Sequence, residues 1–146
     1  MGRYNGEFWI NHHAYLELFH FCMRYHEFKD SICNIMNSGG GANMTYSESA
    51  GRYSDPTANK AINAEPFEEC IKIIEQTAIE AGGDNGVYQA ILYNVTQGWS
   101  YEQLRASGKI PMDKSGKPAV GSKKFHELRR KFFYLLYLRK SKQKLF

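Results

Sequence analysis

The chain has 146 residues, 42% of them hydrophobic and 14% aromatic, with a net charge of +4. That is enough for one domain or two small units with a packed core, held without disulfides or metal. No run of about 18 apolar residues occurs, which excludes a membrane-spanning helix.

The charge is unevenly divided. From Lys109 to Phe146 twelve Lys and Arg face only Asp113 and Glu127, a net +10, while the first 108 residues carry a net −6. A basic tail of this kind suits a polyanion, and an acidic body suits some other task. The opening MGRYNGEFWINHH has no apolar h-region and no small-residue cleavage site. It also lacks the Ser or Thr of a myristoylation motif. Neither secretion nor lipidation is expected, and a cytoplasmic location is. Cys22, Cys33 and Cys70 are an odd set without CxxC spacing, and read as reduced thiols.

From Phe8 to Met36 no Gly or Pro interrupts the chain. Ala14, Leu18, Phe21, Tyr25, Phe28, Ile32 and Ile35 follow alternating steps of 4 and 3, the signature of one helix with a single packing seam. Residues 37–54, NSGGGANMTYSESAGRYS, are Gly- and Ser-rich and predict a mobile loop. Asp55 is then an N-cap candidate with Pro56 at the first helical position. Ala64, Phe67, Ile71, Ile74, Ala78 and Ala81 repeat the seam. Pro66 inside it predicts a kink, or a short helix ahead of the main one. The two seams predict an antiparallel helical hairpin over residues 1–82. AGGDNG after it predicts a C-cap and a hinge.

Residues 83–146 form the second predicted unit. VYQAILYNVTQG is a short helix ending at Gly98. Ser100 and Gln103 have capping-box spacing and open a second one, SYEQLRAS. KIPMDKSGKPAVG follows as a polar loop, with room for a small hairpin around Ser115-Gly116. Ser122 is then the expected N-cap of the last helix, GSKKFHELRRKFFYLL. On its wheel Phe125, Leu128, Phe132, Leu135 and Leu136 share one side. Lys123, His126, Glu127, Arg130 and Tyr134 point away, and Lys124 and Lys131 flank them. Phe133, Tyr137 and Leu138 fall outside that small core, and are expected to dock on the hairpin or on a second copy of the chain.

Two short helices and a longer basic one follow the plan of a helix-turn-helix, in which the start of the recognition helix meets base edges. Long cations there reach phosphates and guanine edges. A solvated back face is the plainer reading of the same pattern. A membrane-surface helix fits less well, because the upstream helices need the apolar side. His12, His13, His20 and His26 crowd the first helix without tight ligand spacing elsewhere, so no metal is expected. GGGAN and GGDNG follow no strand and carry no Gly-Lys-Ser or Gly-Lys-Thr, and no hydrolase or metalloprotease motif occurs. No enzyme activity and no cofactor are expected.

The sequence resembles the RinA/ArpU-type late transcriptional activators of phages and mobile elements, whose C-terminal half is similar to the helix-turn-helix of sigma-factor region 4. The resemblance runs in order over most of the chain. It covers the long first helix and SGGGAN, SDPTANKA at Ser54–Ala61, IEQTAIEA, QGWSYEQL at Gln97–Leu104, Ile110-Pro111, and KKFHELRRKFFYLL at Lys123–Leu136. It implies that Trp99, Tyr101 and Leu104 hold the short helices together, and that Lys123, Lys124, His126, Arg129 and Arg130 line double-stranded DNA. The stretch Gly108–Gly121 departs from it, being far longer than the usual turn of about 3–4 residues. It reads as an insertion, either a wing touching the minor groove through Lys114 and Lys117 or a disturbance of the geometry. The candidate DNA-binding set is therefore Lys114, Lys117, Ser122, Lys123, Lys124, His126, Arg129, Arg130 and Lys131.

The expectation is an all-α regulator of phage or mobile-element genes. Its acidic hairpin would form a homodimer or contact RNA polymerase. A small terminase-like subunit for DNA packaging is one alternative, and a helical protein-interaction module without DNA binding is another.

Overall fold

The computed structural model describes residues 8–37, 56–83 and 86–142. Among them the chain is all-α. Six helices occur among these residues: α1 (His12–Met23), α2 (Tyr25–Asn37), α3 (Pro56–Gly82), α4 (Val87–Gln97), α5 (Tyr101–Ala106) and α6 (Ser122–Lys142). No described helix is long and apolar enough to cross a membrane.

The long first helix of the sequence pattern is two helices. Asn11, in an extended conformation, starts α1 by accepting a bond from the His13 amide at 2.8 Å. At Arg24 the backbone turns to φ −87°, ψ 4°, and its N–H bonds back to the Phe21 carbonyl at 3.1 Å. Such a turn needs neither Gly nor Pro, so the seam runs through it unmarked. The seam residues nevertheless divide. Leu18 and Cys22 are buried in α1, and Tyr25 and Phe28 are buried in α2.

The chain forms two compact units, one of residues 1–24 with 73–146 and one of residues 25–72. These units do not divide at the hinge after residue 82, where the glycines suggested a boundary. Helix α1 goes with the C-terminal helices, and α3 belongs in part to each unit. Pro66 neither ends α3 nor precedes it, since the helix runs unbroken from Pro56 to Gly82. The proposed Asp55 cap and the Gly- and Ser-rich stretch from 38 to 54 lie outside the described residues.

In the smaller unit, Phe28 of α2 meets Phe67 of α3 at 6.3 Å between ring centres. The Lys60 ammonium donates to the Met36 carbonyl at the end of α2 at 3.3 Å. That bond caps one of the carbonyls a helix end leaves without a partner.

In the larger unit, α1 packs on α6 and α4, and α4 packs on α5 and α6. Phe125, Phe132, Phe133 and Leu136 of α6 are buried together with Leu18, Ile91 and Leu104. Each such side chain contributes about 1.5–3 kcal/mol of apolar burial. Phe133 finds its cover within the chain: Tyr15 of α1 meets it edge-on at 5.0 Å. Leu138, by contrast, is 45% exposed. At the end of α3 the backbone of Tyr88 approaches so closely that a Cβ on Gly82 would lie 2.6 Å from it, which restricts the position to glycine.

Candidate nucleic-acid interface

Just before helix α6, the Gly121 carbonyl accepts the Phe125 amide at 2.8 Å. Glycine thus takes the capping position expected of Ser122, and Ser122 is the first residue of the helix. The shift is one residue, within the usual uncertainty of a helix end. Phe125 anchors the first turn. It is fully buried and lies 5.6 Å from the ring of Tyr101.

With that face fixed inward, Ser122, Lys123, Lys124 and His126 are exposed, and Arg130 and Lys131 are half-buried. Lys124 lies 3.7 Å from the Glu127 carboxylate one turn on. Such an exposed pair is weak, and solvent and salt screen it. The His126 ring bonds through Nδ1 to the Ser122 carbonyl at 2.7 Å. A carbonyl only accepts, so Nδ1 carries a proton, and Nε2 is the ring nitrogen outside this bond.

Arg129 does not join this set. Its Nε donates to Asn94 Oδ1 at 2.7 Å, and its Nη2 donates to the Tyr15 hydroxyl at 3.0 Å. Its guanidinium also lies 4.9 Å from the Phe133 ring centre. Arg129 therefore ties α6 to α4 and α1. The same Asn94 donates from Nδ2 to the Trp99 carbonyl at 2.8 Å, which fixes the turn between α4 and α5.

Three more cations of the tail are engaged inside the molecule. Arg139 forms an ion pair with Glu80. Lys140 is 8% exposed, with its ammonium 3.6 Å from the Phe21 ring centre. Lys109 lies 5.0 Å over Tyr93, which is itself stacked on Trp99. The net +10 of the tail overstates what is offered to a partner.

Trp99 is half-buried, while Tyr101 and Leu104 are buried. The Ser100–Gln103 capping box forms in both directions, with Gln103 N to Ser100 Oγ at 3.2 Å and Ser100 N to Gln103 Oε1 at 2.8 Å. Gly98 turns between α4 and α5 at φ 76°. Between α5 and α6 the long connection holds a small hairpin. Met112 and Pro118 form an antiparallel bridge, and Lys114 and Lys117 are exposed near its tip. Residue spacing gives Asn94 no role at this site. The one available sign was a polar residue within the apolar run of α4.

Among the described residues no group of three His, Cys, Asp or Glu side chains is placed to hold a metal. No family model, no curated protein and no solved structure matches the chain.

Proposed function

We propose that the chain is a sequence-specific, double-stranded DNA-binding transcriptional regulator, an activator of phage or mobile-element genes. The observation that supports it is the two-sidedness of α6. Its Phe125–Phe132 side is buried, while Lys123, Lys124 and His126 are exposed on the first turns of the other side. A rigid helix that holds cations and a ring nitrogen toward solvent is suited to phosphates and base edges. The role as an activator rests on the family resemblance of the sequence.

The smaller unit has a different character, with Glu27, Asp30, Glu65, Glu68 and Glu69 exposed. It would serve RNA polymerase contact or self-association rather than DNA, since acidic faces repel the duplex.

The test is DNA affinity across a salt series, comparing wild type with Lys123→Ala/Lys124→Ala/Lys131→Ala after equal melting temperatures are established. The reading requires a steep loss of affinity with salt, and a shallower slope in the variant. Weak binding that is flat with salt and indifferent to the substitutions would exclude it.

A further inference from the structure

We propose that the hairpin at residues 111–119 is a second DNA-contacting element, lying in the minor groove beside the groove taken by α6; this rests on the DNA-binding reading above.

The hairpin is built at both ends. At its base Ile110 and Val120 are buried, and the Tyr101 hydroxyl donates to the Val120 carbonyl at 2.7 Å. Its arms are joined by Ala119 N to Pro111 O and Asp113 N to Lys117 O, both at 2.7 Å. At the tip one carboxylate oxygen of Asp113 accepts from Ser115 N at 2.8 Å, Ser115 Oγ at 2.7 Å and Lys117 N at 3.0 Å. Gly116 closes the turn at φ 83°.

A mere connector between α5 and α6 needs none of this order. The tip is held by its own bonds although residues 112–117 are all exposed. Those bonds engage the Asp113 carboxylate and the backbone, and the Lys114 and Lys117 side chains are no part of them. A pre-ordered pair of cations loses less freedom on meeting phosphates than a pair on a slack loop. Beside them Met112 is 56% exposed. An exposed apolar side chain next to cations is what minor-groove proteins press against or between base steps. The distance also fits. Lys117 precedes Lys123 by six residues, so at most about 20 Å separates them. Neighbouring grooves lie about half of the ~34 Å duplex turn apart, about 17 Å, which falls within that maximum.

The experiment compares the full chain with Lys114→Ala/Lys117→Ala, whose melting temperature should equal that of wild type. Affinity for an A·T-rich duplex is measured over a salt series, with and without netropsin, a minor-groove binder. In the variant the slope of log affinity against log salt should be shallower by about 1.8, at 0.9 for each phosphate contact. Netropsin should weaken wild type several-fold and the variant less. An unchanged slope in the variant overturns the hairpin contact while leaving the α6 reading intact. Wild-type binding indifferent to netropsin overturns the minor-groove placement. A wild type with no salt-sensitive affinity overturns the DNA reading and the hairpin with it.

Discussion

Arg129 and Asn94 are 35 residues apart in the chain and 2.7 Å apart in the structure. The bond decides how the basic helix is oriented, because Asn94 also holds the turn at Trp99 and Arg129 also reaches Tyr15. A charged hydrogen bond of this kind is worth about 1.5–3 kcal/mol, and removing one partner strands the other. Arg129→Met is therefore expected to lower stability by about 2 kcal/mol. Asn94→Ala should cost a similar amount, and the double variant less than the sum, since the two share one interaction. Chemical denaturation checks this. Arg129→Met should also leave the salt slope of DNA binding unchanged, which a phosphate contact at Arg129 would contradict.

The thiols should separate by burial. Cys22 is buried in α1, whereas Cys33 is exposed on α2. Burial pushes the Cys22 thiol far up, against smaller opposing pulls from Arg129 and Lys140. Thiolate is the reactive form, so a disulfide reagent at about pH 8 should modify Cys33 at once, and Cys22 only as fast as the protein unfolds. The same shift has a stability consequence. Unfolded Cys22 ionises near the ordinary value of 9.0 and the folded thiol does not. Above that pH the unfolded state has lost a proton that the folded state keeps, so stability should fall as pH rises. Cys22→Ala should flatten that alkaline decline in a melting series.

Asp113 shifts the other way. The Ser115 hydroxyl, then the Lys117 amide, hold its carboxyl below the ordinary 3.8, against a smaller opposing effect of desolvation. A depressed carboxyl stabilises the hairpin above its ordinary value and ceases to do so as pH falls through its lowered one. The Ser115 and Lys117 amide resonances should therefore shift together in acid, with a midpoint below 3.8. Asp113→Asn should abolish the transition. Independent amide midpoints, or one at the ordinary value, would show that the turn is not closed by this carboxylate.

Much of the helical content was legible because periodicity and caps are local. The capping box at Ser100 and the apolar side of α6 follow directly from residue spacing. What spacing could not show is which core a seam joins. Leu18 and Tyr25 lie on one heptad line, yet the chain turns between them at Arg24 and they belong to different compact units. Nor could it separate a solvated cation from a structural one. Lys123 and Arg129 are long cations of the same helix, and only the fold leaves the first exposed and sets Asn94 and Tyr15 against the second. Phe133 looked surplus to a small three-helix core because nothing local shows α1 returning to cover it.

The separation of cations sets a number for the interface. Among the bases of the tail, Lys109, Arg129, Arg139 and Lys140 are engaged by Tyr93, Asn94, Glu80 and Phe21. Lys114, Lys117, Lys123, Lys124 and Lys131 stand on the two surfaces proposed to meet DNA. Each phosphate neutralised contributes about 0.9 to the salt slope. Five contacts predict a slope near −4.5. Had the whole tail bound the duplex, the slope would approach −11. Affinity measured over a fourfold range of salt separates these cases. A slope near −11 would mean that the internal partners release their cations on binding, and a slope near zero would remove the duplex as the partner altogether. A value near −4.5 would match the five cations on the two surfaces proposed to meet DNA.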